Sequence, residues 1–249
     1  MESREYIKMF EAEDAHWWFV SKRKFAEVLL SAAKQSGPLK ILDVGCGTGA
    51  MSVFLQQYGS VVSMDFSELA LSFCKKRNLR QVCRGDALQL PFMEDSFDVV
   101  TVFDVLYHQW IKDDVLALKE FHRILKPNGK LLVTDSAFSF LSGKHDQFVL
   151  ARERYTVEQM EVRLKQAGFQ VCKKSYAFFF TFPVVLMVRL IERFRDKVQT
   201  DVSLPSPFVN QFFLKVITLE ALLLRYIQFP WGSSILILAE KKQRMDWKN

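Results

Sequence analysis

The stretch Ile41-Leu42-Asp43-Val44-Gly45-Cys46-Gly47-Thr48-Gly49 decides how the rest of the chain reads. Lys40 to Val44 is a short apolar strand, three glycines follow at alternate positions, and Ala50 to Tyr58 continues as a helix that Gly59 stops. Glycine has no Cβ, so the backbone amides of such a turn can approach a ligand closely, at the positive end of a helix dipole. A dinucleotide pyrophosphate calls for the spacing GxGxxG. Here the third glycine comes one residue early and Asp43 precedes the turn, which points to a ligand other than a dinucleotide.

Outward from this turn the strand–helix alternation continues. Val61 to Asp65 reads as a buried strand, Ser67 as an N-cap and Leu69 to Lys76 as a helix. Gln81 to Arg84 and Phe97 to Phe103 supply a third and a fourth strand. Val115 to Leu125 is a helix, and Lys130 to Thr134 a fifth strand after the turn Pro127-Asn128-Gly129. Thr156 and Gln159 fit a capping box, the helix they open ends at Gly168, and Phe169 to Tyr176 and Ser234 to Ala239 are the last strands. Such alternation predicts an α/β fold with a mostly parallel sheet covered on both faces.

Residues 1–39 read as a helical cap, with Tyr6, Met9 and Phe10, then His16-Trp17-Trp18-Phe19, then Phe25, Val28 and Leu29 at helical spacing. Residues 40–176 are the core, 177–231 an apolar helical insertion, and 232–249 the last strand and tail. Tyr176 to Val188 carries no charge but falls short of the roughly twenty residues a bilayer span needs, and Pro183 would bend it. Val209, Phe212, Phe213, Val216, Leu219 and Leu223 share one helical face while Gln211, Lys215, Thr218 and Arg225 lie largely on another, so an amphipathic helix is expected. Between the two runs Arg189 to Lys197 is rich in charge. The insertion is either a membrane-surface element or a lid or dimer contact, and both imply a greasy binding partner.

Composition narrows the rest. The 23 phenylalanines are many for 249 residues and gather in the insertion. A net charge of +6 without a Lys/Arg run suits an anionic membrane as well as nucleic acid, and no RNA-binding signature is present. The 4 cysteines show no CxxC spacing and the amino terminus no secretory signal, so reduced cytosolic thiols are expected, with neither disulfide nor metal site.

Asp65 stands 20 positions after Gly45 at the end of the next strand, where a carboxylate can accept both hydroxyls of a ribose. Gly85-Asp86-Ala87 follows the third strand, where an Asp can accept from an adenine amino group, and Phe103-Asp104 ends the fourth. Four strand ends converge on one crevice.

With these residues in place, the chain resembles the class I S-adenosylmethionine (SAM)-dependent methyltransferases, specifically the type 11 group. The matching pieces are ILDVGCGTG (41–49), VVSMDFS (61–67), GDALQLPF (85–92), SFDVVTVFDVLYH (96–108) and HRILKPNGKLLVTD (122–135). The resemblance implies a Rossmann-like seven-stranded sheet whose last strand is antiparallel. It implies that Asp43, Gly45, Cys46, Gly47, Thr48 and Gly49 meet the methionine part of SAM, Asp65 and Phe66 the ribose, and Asp86 and Ala87 the adenine. Phe103, Asp104 and His108 would lie near the transferred methyl, and Tyr107 would meet the acceptor.

Glu13-x-x-His16-Trp17-Trp18-Phe19-x-x-x-Arg23 resembles a prefix of a bacterial and archaeal subset of that group. Trp17 and Trp18 would cover cofactor or acceptor, or else anchor the helix to the sheet, and Arg23 could pair with the methionine carboxylate. Ser136 to Asp146 and Arg152-Glu153-Arg154-Tyr155-Thr156 resemble an acceptor-side segment of the same subset, in which Asp146, Arg154 and Tyr155 would face the acceptor. The departure is Ala151, where a His is usual, a role that His145 could take over. Arg152 and Arg154 could bind an anionic acceptor.

Methyl transfer from a sulfonium is an in-line displacement, so alignment and exclusion of water matter most, and a base is needed only where the acceptor loses a proton. His108 is the expected base, followed by His145 with Asp146. The expected enzyme methylates a hydrophobic or lipid-linked small molecule, by preference on oxygen, in the cytoplasm or at the inner face of the membrane. The competing reading is a methyltransferase-like binding or scaffold protein without turnover. A nucleic-acid substrate is disfavoured, because the fourth strand ends in Phe103-Asp104-Val105-Leu106 and lacks the Asn/Asp-Pro-Pro-aromatic motif that holds a flipped base.

Overall fold

The computed structural model describes residues 3–33, 37–143, 146, 149–192 and 204–242. Seven strands form one sheet in the order β3-β2-β1-β4-β5-β7-β6. They are β1 (Leu39–Val44), β2 (Gly59–Asp65), β3 (Val82–Arg84), β4 (Phe97–Phe103), β5 (Leu125–Ser136), β6 (Phe169–Ala177) and β7 (Ser234–Lys241). The first five run parallel, and β7 inserts antiparallel between β5 and β6. The order reverses beside β1, so the crevice at the carboxyl ends of β1 and β4 is the switch point where a ligand binds in a doubly wound sheet.

The helices are α1 (Ser3–Ala12), α2 (Trp17–Ala33), α3 (Ala50–Leu55), α4 (Glu68–Lys76), α5 (Asp114–Ile124), α6 (Val157–Gln166), α7 (Phe182–Glu192) and α8 (Pro207–Leu223). Local chemistry sets several of their ends. The Ser67 hydroxyl accepts from the Ala70 amide at the start of α4, and Thr156 with Gln159 forms the capping box of α6. β5 starts earlier than expected, because Leu125 already pairs with Phe97 before the register shifts around the Asn128 turn.

The amino-terminal preface is broken at residues 13–16. There the first amides of α2 find side-chain acceptors, Trp17 N–H donating to Asn210 Oδ1 at 2.8 Å and Trp18 N–H to His16 Nδ1 at 3.2 Å. Burial lowers the His16 pKa, which keeps Nδ1 free to accept. Asn210 belongs to α8, so insertion and preface brace each other, and Phe25, Leu29, Ile217 and Leu224 share one buried cluster with Ile41, Val99 and Leu236 of the sheet.

The amphipathic reading of α8 is corrected. Its inward face is Ile217, Glu220, Ala221 and, just beyond the helix, Leu224, whereas Val209, Phe212 and Leu219 point outward. The helix is apolar on almost every side, so its periodicity could not choose the face that packs.

Candidate active site

The turn after β1 takes the left-handed backbone that glycine permits, with φ of 67° at Gly45 and 55° at Gly47. A Cβ on Gly45 would lie 2.4 Å from Cγ2 of Val105, and one on Gly47 2.8 Å from Cε of Met9. Two carboxylates hold the turn. Asp43 accepts from the Ser52 hydroxyl at 2.6 Å and from the Thr101 hydroxyl at 2.7 Å, and burial raises its pKa to about 6. Asp65 accepts from the Gly47 amide at 2.9 Å and the Ser67 amide at 2.8 Å, while its own burial raises its pKa. The turn and the second strand end are thus locked to each other through one side chain.

A cavity of about 1160 Å³ opens over this turn. Asp43, Gly45, Cys46 and Gly47 line its floor, Asp65, Phe66, Asp86 and Ala87 one side, and Phe103, Asp104, Tyr107 and His108 the other. Phe66 is half exposed at the rim and stacks on Trp110. Asp86 accepts from the Leu88 amide at 2.9 Å, which fixes its loop. Two expected residues do not reach the cavity. Thr48 is fully buried and donates to Glu13, and Gly49 starts α3 against Leu79 and Cys74.

The preface supplies a wall. Met9, Trp17, Trp18 and Arg23 all line the cavity. Trp18 stacks on Phe178 at 4.0 Å and Trp17 on Phe213 at 4.8 Å, so both anchor helices as well as face the space. Arg23 donates to the backbone carbonyls of Glu13 and Asp14, holding the break between α1 and α2. Glu13 in turn pairs with Arg77 at 2.9 Å, which ties that break to α4.

Sequence reasoning missed Lys22. It lines the cavity, forms an ion pair with Asp104, and lies 5.0 Å from the centre of the Trp18 ring. Burial lowers its pKa to about 7 against the opposing pull of Asp135, whose own pKa burial raises to about 7. Asp135 accepts from the Ser136 amide at 2.8 Å and the Tyr107 amide at 3.2 Å. Read as sequence, Lys22-Arg23-Lys24 is a solvated charge run. The available clue was spacing, since Trp18, Lys22, Phe25 and Leu29 fall at i, i+4, i+7 and i+11 on one helical face.

His108 lies between floor and acceptor side. Burial lowers its pKa to about 4, the backbone of Leu150 and Val149 hydrogen-bonds the ring, and Nδ1 is buried with no partner among the described residues. The imidazole is therefore neutral across ordinary pH. Its backbone bridges to Ala151.

Asp146 and Arg154 both line the cavity and bind each other at 2.7 and 3.0 Å. Burial would raise the Asp146 pKa, but the Arg154 hydrogen bonds and charge hold it below the usual carboxylate range. His145 lies outside the described residues. Tyr155 is corrected: it is fully buried away from the cavity, donating to the Leu106 carbonyl at 2.9 Å beside Asp114. Arg152 is corrected with it, since its guanidinium pairs with Asp114. Packing needed both groups to satisfy one buried carboxylate.

Residues 42–133 match the family model of the type 11 methyltransferase domain. This stretch is similar to that domain. It is 36% identical over 112 residues to a demethylmenaquinone methyltransferase of Oceanobacillus iheyensis, covering 41% of this chain and 46% of that protein. A demethylmenaquinone methyltransferase of Staphylococcus aureus is 37% identical over 107 residues, covering 40% of this chain and 44% of that one. The chain thus matches less than half the length of these curated relatives. Among solved structures, a phosphoethanolamine N-methyltransferase of Haemonchus contortus in complex with SAM superposes with a TM-score of 0.58 at 22% identity, over 88% of this chain and 52% of that one. A 4+2 cyclase superposes equally well, with a TM-score of 0.58 at 19% identity over 88% of this chain and 80% of that one, so this likeness concerns the fold alone.

The cofactor of the methyltransferase domain is SAM, and the residues present fit it. The floor carries a glycine turn with no room for a Cβ at Gly45 or Gly47, the second strand ends in a buried carboxylate, and Asp86 follows the third in the same cavity. Among the described residues no group of His, Cys, Asp or Glu side chains could hold a metal ion.

Proposed function

We propose that this enzyme methylates a hydrophobic, quinone-like or lipid-linked acceptor, with an oxygen nucleophile favoured, at the inner face of a membrane. The observation that carries this reading is the cavity's extent. It continues from the glycine turn to Val184, Val185 and Val188 of α7 and Phe213 of α8. At about 1160 Å³ it exceeds the roughly 300–1,000 Å³ of an ordinary single-ligand pocket, leaving room for an apolar acceptor beside the cofactor. The names of the partial-length relatives, which act on a menaquinone precursor, support the same acceptor class.

Bound SAM supplies an electrophilic methyl group. On this reading Gly45 and Gly47 offer backbone to its methionine part, Asp65 takes the ribose hydroxyls and Asp86 the adenine amine. Trp17, Trp18 and Tyr107 exclude water around the acceptor, which raises the weight of each remaining polar contact. The neutral imidazole of His108 accepts the acceptor's hydroxyl proton, and Lys22 and Asp104 set the charge in the same cavity. The Arg154–Asp146 pair holds the acceptor-side loop. The Trp17-Trp18 pair covers the cofactor or the acceptor.

The test is methyl transfer from labelled SAM to a short-chain demethylmenaquinol, read by mass spectrometry. His108→Ala is expected to lower turnover by about 10²-fold or more while S-adenosylhomocysteine affinity stays within about twofold. Equal turnover in variant and wild type removes His108 as the base. Absence of product from any quinol, with a polar amine methylated instead, removes the acceptor class.

A further inference from the structure

No residue of α7 from Phe182 to Ile191 is buried. An isolated helix of this length is marginal in water, and one that is apolar needs something to cover it. Val184, Met187, Val188, Leu190 and Ile191 are each more than 40% exposed. Helix α8 presents a second outward stripe, Phe208 at 82%, Phe212 at 55%, Leu219 at 53% and Leu222 at 50%, which the helical repeat sets on one face. Contiguous exposure on this scale marks an interaction surface.

The relation of this face to the cavity says what covers it. Val184 and Val188 are outward-exposed and also line the cavity, so its mouth opens through α7, beside Arg189. Charge agrees on α8: over residues 207–223 the charged side chains are Lys215, exposed on the outer stripe, and Glu220, fully buried on the inner face, while on α7 Arg189 is half-buried at the cavity mouth and Glu192 ends the helix. The outer stripe of α8 thus presents apolar side chains and one exposed cation, Lys215, which suits an anionic lipid surface. A second copy of the chain would set Lys215 against Lys215 on the same face. Among the described residues no helix is long and apolar enough to cross a membrane, so the contact lies in the plane of the interface.

We propose that α7 and the outer stripe of α8 dock on an anionic bilayer, so that an apolar acceptor passes from the lipid through the mouth at Val184 and Val188 into the cavity. The proposal rests on the reading of that cavity as the acceptor site. The test is flotation of the full chain with vesicles of equal parts phosphatidylglycerol and phosphatidylcholine, and with phosphatidylcholine alone. Wild type is expected to float with the anionic vesicles. The double variants M187S/I191S and F208S/F212S are expected to lose about tenfold or more of that partition. Lys215→Gln is expected to lose about fivefold on anionic vesicles alone. Unchanged S-adenosylhomocysteine affinity shows that the variants are folded. Wild type that stays in solution with both vesicles, or variants that float equally well, overturn the proposal. So does a dimer seen by light scattering, abolished in the variants and unaccompanied by flotation, which gives the face to a second copy. Loss of S-adenosylhomocysteine binding by wild type would instead sink the methyltransferase reading, whatever the vesicles show.

Discussion

Gly45 shows how far one missing methyl group reaches. Its φ of 67° strains any other residue by roughly 1–2 kcal/mol, and the Cβ of an alanine would meet Val105, a buried β-branched side chain with little rotamer freedom. Gly45→Ala is expected to cost that strain plus an overpacking penalty of about 1–3 kcal/mol in urea unfolding. Making the same change in a Val105→Ala background should return only the second part, and strict additivity of the two substitutions would contradict the contact. Lys22 allows a prediction with a definite sign. Its folded pKa is lowered to about 7, while an unfolded lysine titrates near 10.4. Within that window the unfolded chain binds more protons, so this group makes stability rise with pH. Wild type should therefore gain stability relative to Lys22→Met between about pH 7 and pH 10, and a difference constant across that range would show the ammonium to be solvated. Neither residue's environment is visible in its neighbours along the chain. Val105 lies 60 positions from Gly45, and Asp104 lies 82 from Lys22.

At the scale of elements, α8 is held by Glu220 rather than by amphipathicity. This carboxylate is fully buried and accepts from the Phe179 amide at 3.0 Å and the Phe180 amide at 3.2 Å, closing the corner that leads into α7. Glu220→Leu suits a helix interior but leaves two amides without an acceptor. It is expected to cost about 2–5 kcal/mol in urea unfolding and to loosen the acceptor end of the cavity. A change below about 0.5 kcal/mol would show that water satisfies the amides. The strands, the capping box and the Ser67 cap were legible because each rests on local periodicity or on a side chain bonding within three residues. The facing of α8 was not, since a helix apolar on every side gives no preferred direction.

For the molecule as a whole, α1 and α2 close over the glycine turn, with Met9 against Gly47 and Glu13 bound to Arg77. Cofactor binding and cap order should therefore be linked. S-adenosylhomocysteine at 100 times its Kd stabilises by about 2.7 kcal/mol, which for a chain of this size raises Tm by roughly 5–11 °C. Amide exchange should slow in residues 3–33 together with the turn. A rise in Tm with unchanged exchange in α1 would show that the cap does not respond to the ligand.

The sequence by itself determined the strand–helix alternation, the glycine turn and the acidic residues at the ends of β2, β3 and β4, because each is a local pattern with its own mechanism. From these the methyltransferase domain and its cofactor were readable. Only the tertiary structure decided that Thr48, Gly49, Arg152 and Tyr155 lie off the cavity, that Lys22 lines it, and that α7 stands exposed at its mouth. Those outcomes depend on which distant element satisfies or covers each group, and chain order does not carry that information.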